Sequence, residues 1–122
     1  MEATLIKKIE LENGLTLEFI DVSRKVAGDR YLVALQTRVS VPVEPGWFTG
    51  DDPDLPDLAD VIAKVGPTVE FEQKKERVFV DESEKPAVLE NMIAVAEDFG
   101  VRYIGHPEFP KKLILKEYNA NT

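Results

Sequence analysis

Four groups of residues carry types and spacings that support chemistry. Asp51, Asp52, Asp54 and Asp57 place four carboxylates within seven residues, the donor type that hard divalent cations take from a turning loop. The spacing departs from an EF-hand: Pro56 stands where a third ligand belongs, and no Gly follows at the sixth position. These acids are read as favouring the positive N-terminus of a following helix, and no metal site is expected. Trp47 and Phe48, bounded by Pro45-Gly46 and Thr49-Gly50, suit the anchoring of a protein partner, because each removes much area from water at small entropic cost. The competing reading folds them back over the end of a sheet. Ser23, Arg24, Lys25 and Arg30 surround a turn at Gly28, where cations, a hydroxyl and backbone N–H groups can meet an anion or small ligand; alternatively the cations pair with Asp21 and Asp29 on a solvated surface. His106-Pro107-Glu108 offers a base and a carboxylate, yet a His before Pro at a helix start also serves as a cap. No Ser-His-Asp order and no Gly-rich phosphate loop accompanies it, so no residue is assigned a catalytic role.

Composition narrows the function classes further. The 122 residues fit one domain, and 43% hydrophobic with 31% charged residues is ordinary globular usage. Asp and Glu outnumber Lys and Arg by 23 to 15, a net charge of −8, which repels phosphate backbones and anionic lipid; neither nucleic acid nor membrane is expected as a partner. The absence of Cys removes disulfides, thiol catalysis and thiolate metal sites, and the single His leaves little for imidazole-based chemistry. No cofactor is expected. No apolar run reaches the roughly 20 residues of a membrane span, and the start from Met1 to Lys8 lacks the apolar core of a signal peptide, so a cytoplasmic location is the expectation. Lys111, Lys112 and Lys116 make the tail locally basic, suited to docking within the chain or onto an acidic partner.

The elements that must position these residues follow from periodicity. Leu5, Ile9 and Leu11 alternate with Lys8, Glu10 and Glu12, and Leu15, Leu17 and Phe19 with Thr16 and Glu18, giving two half-buried strands around Asn13-Gly14. A two-residue turn would set Leu11 against Thr16 and Ile9 against Glu18. A three-residue loop of Glu12, Asn13 and Gly14 sets Leu11 against Leu15, Ile9 against Leu17, Lys8 against Glu18 and Ile6 against Ile20, so the longer loop is expected, with Gly14 left-handed. Asp21 to Asp29 reads as a polar connection. A third strand carries Tyr31, Val33, Leu35, Val39, Val41 and Val43 on one face, with Pro42 placing its last part at a sheet edge or end. Glu44 to Asp57 reads as a long loop. Leu58, Val61, Ile62 and Val65 then recur at helical spacing for about three turns, with Asp54 as cap and Gly66-Pro67 as stop. Val69-Glu70-Phe71 and Val78-Phe79-Val80 have opposite parity, which requires a hairpin or a bulge across Gln73 to Glu76. Val88, Leu89, Met92, Ile93, Ala96 and Phe99 form one stripe of a second helix, capped by Ser83 and ended by a left-handed Gly100. Val101 to Ile104 reads as a short strand, and Pro107 to Asn119 as a third helix, although Lys112 to Tyr118 also alternates.

The segment Leu11 to Glu18, with Ser23-Arg24-Lys25-Val26-Ala27-Gly28-Asp29-Arg30, resembles a group of small bacterial proteins of unknown function, mainly over residues 11–43. The resemblance implies a bacterial source and one domain spanning the chain, and it carries no activity or site. Asp21-Val22-Ser23 also resembles the D-x-S-x-x-G element of PilZ domains, which bind a cyclic dinucleotide. That match breaks, because Val26 stands where Gly is required, Gly28 falls two residues late and no R-x-x-x-R pair precedes it. The fold class expected is α+β: a single domain with an antiparallel sheet and two or three helices on one face. The function expected is a non-enzymatic protein-interaction or self-associating domain, using the Trp47-Phe48 loop or an exposed sheet edge, with a second copy or another protein as partner. The alternative is a small-ligand-binding domain or minor enzyme with a polar site near Arg24 to Arg30.

Overall fold

The first hairpin shows why register arguments succeed locally. In the computed structural model, which describes residues 3–48 and 56–121, strand β1 (Thr4–Glu10) pairs with β2 (Thr16–Asp21) through Ile9 opposite Leu17 and Lys8 opposite Glu18. The Leu11 N–H reaches the Leu15 carbonyl at 2.8 Å, and Gly14 has φ +87°, so the three-residue loop with a left-handed Gly forms as expected. One pairing differs. A bulge between Leu5 and Lys7 sets Leu5, not Ile6, opposite Ile20, because the extra residue shifts the end of β1 by one position.

Asp21 to Asp29 is more ordered than a polar connection. Arg24–Ala27 forms strand β3, which pairs with the long strand β4 (Arg30–Pro42) through Arg24 opposite Leu32 and Lys25 opposite Tyr31. These pairs continue the register of β2 on β4, where Leu17 faces Val39 and Asp21 faces Leu35. Strands β2 and β3 therefore lie end to end along one edge of β4. The other edge pairs with β5 (Thr68–Asp81), a single strand from Thr68 opposite Pro42 to Asp81 opposite Arg30. The sheet is five-stranded and antiparallel throughout. Pro42 closes β4, where its missing donor costs the ladder least.

Helices α1 (Leu58–Val65), α2 (Lys85–Phe99) and α3 (Phe109–Ala120) complete the α+β domain. Leu17, Phe19, Leu35, Val39, Val41 and Val69 from one face of the sheet share a single core with Val61, Ala96, Leu113 and Ile114 from the helices. The tail is helix because Leu113 and Ile114 enter this core and Pro110 sits in the first turn. Helix α1 is shorter than its periodicity implied, at eight residues, and ends at Gly66 with φ +88°. Asp57 occupies its N-cap position without a side-chain bond; the Asp54 cap, and the carboxylates of Asp51 and Asp52, lie outside the described residues. Ser83 does not cap α2. Glu84 takes that position, and the Ser83 N–H donates to Asp81 Oδ1 instead.

Gly100 departs most from its sequence reading. It is right-handed (φ −60°), and the chain continues from α2 into a π-helical turn over Gly100–Ile104 where a short strand was expected. The reason is packing. A Cβ on Gly100 would collide with the side chain of Leu17, itself fully buried, so the Gly lets the end of α2 settle directly on the sheet. Asn13, at the hairpin tip, locks this turn in place by donating from Nδ2 to the carbonyls of Ile104 (2.7 Å) and His106 (3.2 Å).

Candidate functional site

Strand β5 is one of the edge strands of the sheet. Its inner edge is paired along β4, and among the described residues no strand pairs with its outer edge. Lys75 lies opposite Leu35 and Arg77 opposite Val33, both core residues, so Lys75 and Arg77 stand on the helix-covered side of the sheet. The N-terminal half of β5 is covered there by α3, through an edge-to-face contact of Phe71 with Phe109 at 5.5 Å. The C-terminal half is not. Helix α2 lies mainly over β4, and between it and β5 runs an open groove of about 490 Å³, lined by Lys75, Arg77, Met92, Val95, Ala96 and Phe99 among others. Neither Lys75 nor Arg77 forms an ion pair with a described residue.

The groove ends at a bulge. Arg77 faces Val33 and Val80 faces Tyr31, so Val78 and Phe79 together oppose the single residue Leu32. This resolves the parity conflict read from the sequence: β5 is one strand, with its irregularity at Val78-Phe79, beyond the charged run Gln73 to Glu76. Phe79 holds φ 55°, a region that costs a non-Gly residue roughly 1–3 kcal/mol. The side chains of both bulge residues face water, with Val78 65% and Phe79 69% exposed. The bulge brings Val80, which is buried, onto the same face as Arg77 and leaves the strained Phe79 ring in water.

The residues singled out from the sequence fall elsewhere. Trp47 and Phe48 sit in a 3-10 turn (Pro45–Phe48), half-buried against the core, and the Trp47 indole N–H donates to the Pro42 carbonyl at 2.7 Å. Trp47 borders a cleft of about 540 Å³ that also includes Lys8, Glu18 and Ser40. Within it Glu18 pairs with Arg38 at 3.2 Å and with Lys8 at 3.7 Å, and Glu44 is a further lining carboxylate. The Ser23 hydroxyl accepts the Ala34 N–H at 2.9 Å, and the Ser23 N–H donates to Asp21 Oδ1 at 2.9 Å. Arg24 and Lys25 occupy adjacent positions of β3 and so point to opposite faces of the sheet. Arg30 pairs with Asp81 at 3.3 Å. The Ser83 N–H and then Arg30 hold the Asp81 carboxyl below the ordinary carboxylate range. These four residues are not brought together on one point. His106 lies in the turn before α3, whose N-cap position is Glu108, and its Nδ1 accepts the Glu108 N–H at 3.0 Å. Among the described residues no cluster of His, Asp or Glu is arranged to hold a metal ion, and no helix is long and apolar enough to cross a membrane.

Comparison of the chain with protein-family models, with curated proteins and with solved structures found no match. The candidate site therefore rests on geometry: the unpaired edge of β5, the groove beside it and the bulge at its end. Sequence reasoning named an exposed sheet edge without locating it. The parity break between Phe71 and Val78 was the available signal, because it announced an irregular strand.

Proposed function

We propose that this protein is a non-enzymatic interaction domain that receives an extended segment of a partner along the outer edge of β5. The observation that carries this reading is the exposed bulge of Val78 and Phe79, held in a strained conformation on an edge that no described strand pairs. Added strands gain affinity from main-chain hydrogen bonds and specificity from side chains that alternate between the two faces. On one face such a segment meets the groove beside α2. The single His holds the turn before α3 and there is no Cys, which favours the surface rather than a reactive side chain as the functional feature.

Selection of random seven-residue peptides on the immobilised protein, followed by amide chemical-shift mapping, tests the reading. The expected result is that enriched peptides perturb amides of Gln73 to Val80. Enriched peptides that perturb the Trp47 cleft or the Arg24 to Arg30 hairpin would replace it. The Phe79→Gly variant adds a second test. Removing the left-handed strain should raise stability by about 0.5–1 kcal/mol, or roughly 2–5 °C in Tm, while peptide affinity falls several-fold. A variant that binds unchanged would show that the exposed ring has no part in recognition.

A further inference from the structure

Granting that reading, we propose that the segment taken up by β5 is acidic, with the pattern acid-x-acid-x-aromatic, its two carboxylates set against Lys75 and Arg77. Edge strands avoid pairing with copies of themselves by carrying inward-facing charge. Lys75 and Arg77 are such charges, placed two residues apart on the helix-covered side and unpaired among the described residues. A strand bearing carboxylates at the matching i and i+2 positions turns that barrier into attraction, because directly opposed side chains on neighbouring strands lie within pairing distance. The charges stand beside an apolar wall formed by Met92, Val95 and Phe99. A large side chain two positions further along the same face of the incoming strand reaches that wall. The overall charge of −8 disfavours a second copy of this chain as the occupant, and Lys75 and Arg77, unpaired among the described residues and outnumbering the one lining carboxylate, Glu76, make the groove a local exception that selects for acid.

The probe is the blocked peptide Thr-Glu-Thr-Glu-Thr-Phe-Thr, titrated into the isotopically labelled full chain. Two controls accompany it: one with Lys in place of both Glu, and one with Pro in place of the Thr between them. The acidic peptide should shift amides of Gln73 to Val80, and the Lys and Pro peptides should bind at least about tenfold more weakly. In the double variant Lys75→Glu with Arg77→Glu the preference should reverse towards the Lys peptide, a gain that loss of folding cannot mimic. Equal binding of the Glu and Lys peptides at β5 would leave strand addition standing and overturn the acidic preference. Equal binding of the Pro peptide would overturn strand addition itself. Shifts away from β5, no shifts with any peptide at millimolar concentration, or a concentration-dependent dimer that blocks the peptide would each overturn the proposal, the last in favour of a second copy.

Discussion

Gly100→Val should destabilise the protein by about 2–3 kcal/mol, seen as a lower urea midpoint with an unchanged m-value. The side chain that Gly100 lacks would occupy space held by Leu17. Leu17 is fully buried in the shared core, where close packing resists its displacement. Leu17→Ala alone should also destabilise, by about 2–5 kcal/mol, because it leaves a cavity under the π-helical turn. The double variant should be more stable than the sum of the two losses, since the valine refills part of that cavity. Gly100→Asn separates the packing account from the left-handed stop that the sequence implied. Asn is tolerated in a left-handed cap, whereas here it should destabilise as the valine does.

Ser23→Ala should destabilise by about 1–3 kcal/mol, the cost of leaving a buried donor unsatisfied. Strands β2 and β3 share one register on β4, and the ladder breaks between them at Val22 and Ser23. The Val22 N–H still reaches the Ala34 carbonyl at 3.0 Å, but the Ala34 N–H depends on the Ser23 hydroxyl at 2.9 Å. Ala34 is fully buried, so its N–H loses its acceptor within the fold. Urea unfolding, with faster amide exchange at Ala34, checks the effect. Unchanged stability would return Ser23 to the pool of ligand contacts beside Arg24 and Lys25.

What the sequence made legible was local. The Gly14 loop could be derived because both partners of each pair lie within a few residues, so polar and apolar faces either match or clash on inspection. The first and second helices showed themselves through stripes that a single face of a sheet can bury, whereas the tail helix was signalled by Pro107 and Pro110 at its start against an alternation from Lys112 to Tyr118. Gly100 misled because two physical causes place Gly at the end of a helix, left-handed freedom and close packing. The second depends on Leu17, far away in the chain. Ser23 and Asn13 were read as turn residues for the same reason: the groups they serve, Ala34, Ile104 and His106, are brought to them only by the fold. The charged run from Gln73 to Glu76 resembled a turn, yet β4 pairs straight through it. The candidate site was visible only as a conflict of parity, because which strand becomes the edge, and which helix leaves it uncovered, is decided by tertiary packing.

Hydrogen exchange of the isolated, peptide-free chain tests the central claim most directly, namely that β5 offers an unpaired outer edge. In an antiparallel strand the amides alternate between the two neighbours. From Gln73 to Arg77 every second amide should therefore exchange orders of magnitude faster than those bonded to β4, and the fast set should slow on adding the acidic peptide. Uniform protection across these residues in the free protein would mean that the edge is already covered, and would contradict the account.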